Sequence, residues 1–109
     1  MSYLELPSDF DVHRLTDAWA NVFQTAVGSE LETELRREIT TGHPLVGVEV
    51  HAVAVRRLRK EVIFWLPAEC KWAVVHLTWA VESDVQWPTN EQCATWDEVI
   101  AFLVEYARA

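Results

Sequence analysis

A chain of 109 residues has room for one hydrophobic core rather than two, so a single domain over residues 1–109 is expected. Half of the residues are hydrophobic and six are Trp, against three Gly and four Pro, which excludes a disordered or low-complexity chain. Seventeen acidic against nine basic residues leave a net charge of −8, a field that repels phosphate backbones and lipid head groups and argues against nucleic acid and membrane as partners.

In chain order, Val12, Leu15, Trp19, Val22, Phe23 and Ala26 recur at steps of three and four, the spacing of one helical face. Ser8, after Pro7, is placed to cap that helix. Gly28 then offers a left-handed stop, and Ser29 with Glu32 has the spacing of a capping box for a second helix over about residues 30–40, striped by Leu31, Leu35 and Ile39. Gly42 ends it, and His43 before Pro44 is pushed into an extended conformation.

From residue 46 the period becomes two. Val46, Val48, Val50, Ala52 and Ala54 fall on one side of a strand, and Gly47, Glu49, His51, Val53 and Val55 on the other. A basic reversal, RRLRK at 56–60, leads to a second strand over 62–66, a turn at 67–70 and a third strand over 72–79. After an irregular segment containing Trp87-Pro88, Thr95 and Glu98 form a capping box for a last helix striped by Trp96, Val99, Ile100, Leu103 and Tyr106. The expected fold is α+β in the order α-α-β-β-β-α: a three-stranded antiparallel meander with the helices packed on one face. Leu35, Val48, Val50, Val75, Leu77, Ile100 and Leu103 are expected in one core.

In the third strand, alternation puts Ala73, Val75, Leu77 and Trp79 toward that core and Trp72, Val74, His76 and Thr78 on the opposite face. His51, Trp65, Trp72 and His76 are therefore the candidate binding residues, on a face unusually aromatic for solvent and open to a partner unless the segment 80–94 covers it. His76 itself reads as a structural imidazole that hydrogen-bonds a backbone carbonyl, with a general base or ligand-binding role as the alternative.

Catalytic motifs are wanting. The histidines at 13, 43, 51 and 76 lack HExxH spacing, Cys70 and Cys93 form no CxxC pair, no serine stands in GxSxG, and the three glycines make no phosphate loop. No metal and no cofactor are expected. The N-terminal MSYLELPSDF has neither the basic nor the apolar region of a signal peptide, so a cytoplasmic protein with two free thiols is expected. The run RRLRK and the acidic strip Glu30, Glu32, Glu34 and Glu38 read as solvated charge, with docking of an oppositely charged surface as the alternative.

HPLxG at 43–47, the aliphatic strand after it, VVHLTW at 74–79 and Trp87-Pro88 before the last helix together resemble a family of small uncharacterised bacterial proteins. The similarity covers about residues 43–104, and VVHLTW is its most specific part. It implies no activity, cofactor or catalytic residue. The functional expectation is a small acidic non-enzymatic module that binds another protein, of the kind that neutralises a toxin as an immunity factor. The alternatives are a small enzyme or ligand-binding domain using His76, and a homodimeric accessory protein whose aromatic sheet face is buried against its twin.

Overall fold

The computed structural model describes residues 5–56, 60–79 and 88–108, with side chains to residue 106. A short 3-10 helix (Val12–Arg14) is followed by β1 (Trp19–Asn21), α1 (Ala26–Glu38), β2 (His51–Arg56), β3 (Glu61–Leu66), β4 (Lys71–His76), β5 (Thr89–Cys93) and α2 (Trp96–Arg108). The class is α+β, and the sheet has five strands in the order β1-β2-β3-β4-β5, each antiparallel to its neighbour, where three were expected.

Both faces of that sheet are covered. Val62, Phe64 and Leu66 of β3, with Ala73 and Val75 of β4 and Leu77 just beyond it, pack with Leu31 and Leu35 of α1. The intervening residues Ile63, Trp65, Trp72 and Val74 pack on the other face with Trp96 and Val99 of α2, joined by Phe10, Leu15, Trp19 and Phe23 from the N-terminal segment. The expected single core is therefore two, and Ile100 and Leu103 lie across the sheet from Leu35, Val50, Val75 and Leu77. A strand apolar on both sides needs two covers, so the helices cannot share one face.

The N-terminal stripe is not a helix. Leu15, Trp19 and Phe23 go to the α2 side while Val22 goes to the α1 side, because the chain runs extended along β2 and Val22 N–H donates to Val53 O at 2.9 Å. Their helical spacing is coincidental. Nor does Gly28 separate two helices: α1 starts at Ala26 with Thr25 as its cap, whose Oγ1 accepts from Gly28 N–H at 3.1 Å. Gly28 is required for another reason, since a Cβ there would sit 2.3 Å from Val22 O. Half of the capping box expected at α2 forms: Thr95 Oγ1 accepts from Glu98 N–H, whereas Glu98 Oε2 accepts from the N–H of Ala94, one residue before the expected partner Thr95.

The first long strand is shorter than its alternation, because residues 44–47 form turns in which Val46 N–H donates to His43 O and Val48 N–H to Leu45 O, and within it the register shifts at a bulge between Ala52 and Ala54. The irregularity keeps Val50 and Ala52 on the α1 side, turns Val53 and Ala54 toward α2, and returns Val55 to α1. Ala52 N–H lies beyond the last β1 pairing, Asn21 with Ala54, and donates to Glu32 Oε2 of α1 at 2.9 Å. β5 was not expected because its sequence, TNEQC, carries no apolar alternation; it is a polar edge strand held by its ladder to β4.

Polar anchors tie the loops to the α1 side. Glu38, fully buried at the end of α1, accepts from Thr78 N–H, Thr78 Oγ1 and Trp79 N–H, holding the chain as it leaves β4. Trp79 is kept there at φ 59°, a conformation that L residues seldom adopt. Burial and a hydrogen bond to the Glu34 carboxylate push the Glu38 carboxyl up to about 7, while Glu34 itself, despite its burial, is held low by the fork of Arg37. His43 is the second anchor: its Nδ1 accepts from Leu45 N–H, so Nε2 carries the proton donated to Pro88 O at 2.8 Å.

Both cysteines are free, as expected. Cys70 is exposed in the β3–β4 turn, and Cys93 is buried, its thiol pushed up to about 11 by burial and by the nearby Glu91 and Glu98 carboxylates. Of the two charged runs, residues 57–59 of RRLRK lie outside the described residues, as does 80–87 of the segment expected to cover the aromatic face.

Leu77 is 1% exposed in the α1-side core, so Leu77→Ala should lower stability by about 2–5 kcal/mol in urea denaturation. The Glu38 carboxyl is protonated in the fold between its ordinary 4.5 and about 7, whereas the unfolded chain has released that proton. Its contribution is thus full below about pH 4.5 and is lost as pH rises through 7. The stability difference between the wild type and Glu38→Gln should accordingly shrink from pH 5 to pH 8 (roughly the span of that shift); a difference that stays constant would mean that Glu38 is ionised throughout.

Candidate functional site

α2 begins tightly packed and ends less so. Trp96 and Val99 are fully buried, Ile100, Phe102 and Leu103 are half-buried, and Val104 and Tyr106 are exposed. The start is fixed by the N-terminal segment, where Asp9 accepts from Trp96 N–H and Asp11 O accepts from the Trp96 indole, with Phe10 against both Trp72 and Trp96. The Arg14 guanidinium pairs with Asp97 of the same helical turn.

Beneath the later part of α2 the sheet changes character. Toward the end of β3 and β4 covered by the start of α2 the face is Trp65 beside Trp72; toward the other end the register sets Glu61 opposite His76 and His76 opposite Thr89, while Trp19 stands opposite Arg56. A transverse row of polar side chains therefore replaces the aromatic one. Between this row, the second half of α2 and the 3-10 helix lies a cleft of about 520 Å³. Leu15, Trp19, Val74, Ile100, Phe102 and Leu103 supply its apolar walls, and Arg56, Glu61, His76 and Thr89 its polar end.

The polar end is internally connected. Arg56 lies 3.5 Å from Glu61 Oε1, and the same oxygen accepts from the Tyr106 hydroxyl at 3.4 Å, linking the sheet to the last turns of α2. His76 stands between two carboxylates, Glu61 directly opposite on β3 and Glu91 diagonally across on β5, where Glu91 pairs with Val74. Among the described residues, neither the His76 ring nor the Glu91 carboxylate has a hydrogen bond or ion pair. A half-buried imidazole without a fixed partner, beside carboxylates and under an apolar roof, can accept or donate a hydrogen bond to a molecule entering the cleft.

The four residues singled out by sequence separate into two environments. Trp65 and Trp72 are buried, with ring centroids 4.8 Å apart, beneath Phe10 and Trp96, so they form core and not a surface. His51, opposite Trp65 at the far end of β2, hydrogen-bonds Glu49 and does not reach the cleft. Only His76 lines it, together with Trp19, Arg56, Glu61 and Glu91, which sequence reasoning passed over. Glu61 and Arg56 flank a reversal and read as ordinary solvated charge, and Glu91 lies on a strand without an apolar signature. Among the described residues no group of His, Cys, Asp and Glu is arranged to hold a metal ion.

Among the described residues the buried histidine that hydrogen-bonds the backbone is His43, while His76, expected in that role, has no such bond. No protein-family model matches the chain, and no curated protein or solved structure matches it either.

His43→Ala would leave the Pro88 carbonyl and the Leu45 N–H unpaired in a buried place and should cost about 1–3 kcal/mol, whereas His76→Ala should stay within about 0.5 kcal/mol of the wild type. Urea denaturation of the two variants side by side checks this. A large loss at position 76 and none at 43 would reverse the two assignments.

Proposed function

We propose that this protein is a ligand-binding domain whose site is the cleft between α2 and the β3–β4–β5 end of the sheet. The observation that carries this reading is the cleft itself, about 520 Å³ with apolar walls and one polar end at His76. A volume of that order accommodates a small organic molecule, with apolar walls giving affinity and a few polar groups giving orientation. The ligand class is amphipathic: an apolar body against Trp19, Ile100 and Leu103, and a head group at His76, Glu61 and Thr89.

A protein-binding role remains the second reading, supported by the net charge of −8 and by Val104 and Tyr106, which are 47% and 41% exposed and both line the cleft. In that case a side chain of the partner takes the place of the small molecule, and an immunity-type module or a homodimer would use the same edge. Among the described residues no helix is long and apolar enough to cross a membrane.

The test uses N-phenyl-1-naphthylamine, a neutral fluorophore whose emission rises in an apolar site. The wild type should bind it saturably. Thr89→Trp, which fills the polar end from an exposed strand position that tolerates a large aromatic residue, should weaken binding about tenfold or more while circular dichroism stays unchanged. Equal binding by both proteins would place the probe elsewhere and sink the reading.

A further inference from the structure

The ligand-binding reading leaves the chemistry of the head group open, and the charges around the cleft decide it. The charged residues lining it are Arg14, Arg56, Glu61 and Glu91. Arg14 is paired with Asp97 and Arg56 with Glu61, so each cation already has its counter-ion. Glu91 has none among the described residues, and it reaches the cleft from an exposed position on the edge strand β5. An anionic head group would meet Glu91 while both guanidinium groups are occupied. A cationic one would find the free carboxylate of Glu91 and, diagonally across from it on β4, an imidazole able to accept a hydrogen bond.

Two further features favour a cation. Trp19, Phe102 and Tyr106 border the same cleft, and aromatic faces attract ammonium groups that approach them. The whole chain carries −8, which raises the local concentration of cations and depletes anions. We propose that the cleft binds a primary amine with an apolar, preferably aromatic, body, its ammonium held by Glu91 beside His76. This inference rests on the cleft being the ligand site and adds the charge of the ligand.

Three probes of nearly equal shape test it: 2-phenylethylamine, 2-phenylethanol and 3-phenylpropionate, titrated by calorimetry into the full chain at low and at high ionic strength. The amine should bind about tenfold tighter than the alcohol, the carboxylate weakest, and the amine's advantage should shrink at high salt. Glu91→Gln, at an exposed strand position whose loss leaves the core intact, should remove most of the preference for amine over alcohol. If the alcohol or the carboxylate binds as tightly as the amine, and Thr89→Trp abolishes that binding, the cationic assignment is overturned while the cleft remains the site. If none of the three binds, and Thr89→Trp also leaves fluorophore binding unchanged, both assignments fall. An amine preference that survives Glu91→Gln in full overturns the role given to Glu91 and with it the inference.

Discussion

Everything in this fold follows from two central strands that are apolar on both sides. The four middle residues of β4 and the last five of β3 are buried without alternation. Such strands cannot face solvent on either side, so the sheet must acquire a cover above and below. α1 provides one cover directly. The other is composite, made of α2 and a non-helical N-terminal segment, because a single helix is too narrow to shield Trp65 and Trp72 together with the aliphatic residues beside them.

The composite cover explains the placement of the aromatic residues. Phe10, Trp65, Trp72 and Trp96 form a contiguous stack whose centroid separations of 4.8 to 5.7 Å are those of packed rings. The stack fixes the start of α2, with Asp9 and the Asp11 carbonyl supplying hydrogen bonds at the same place. On the α1 side the corresponding task falls to buried polar groups, Glu38 on Thr78 and Trp79 and His43 on Pro88, which hold the chain just after β4 and just before β5.

The cleft is a consequence of where the apolar supply stops. β3 begins with Glu61 and β4 ends with His76, and these are paired, so with Arg56 on β2 and Thr89 on β5 the sheet turns polar from β2 to β5 at that end. α2 continues over it, yet the side chains below no longer fill the space to the helix. A void lined by apolar walls and floored by polar groups results, and Tyr106 reaching Glu61 ties its far edge without closing it.

From the sequence alone, the class, the strands β2 to β4 in outline, the last helix with Thr95 at its start, the two free thiols and the burial of Leu77 were legible, because most of these rest on local periodicity or capping chemistry. β1 and β5 were not, since edge strands take their pairing from a neighbour and need no apolar pattern of their own. The N-terminal segment showed helical spacing yet joined a sheet, and Gly28 looked like a stop but is a point of close approach to Val22. His76 was singled out and lines the cleft, while Glu61, Arg56 and Glu91, which line it too, were passed over, because strand register and the overhang of α2 are what bring them together. Sequence records which residues are apolar and how they repeat; only tertiary structure decides which face each covers, and therefore where the packing leaves space.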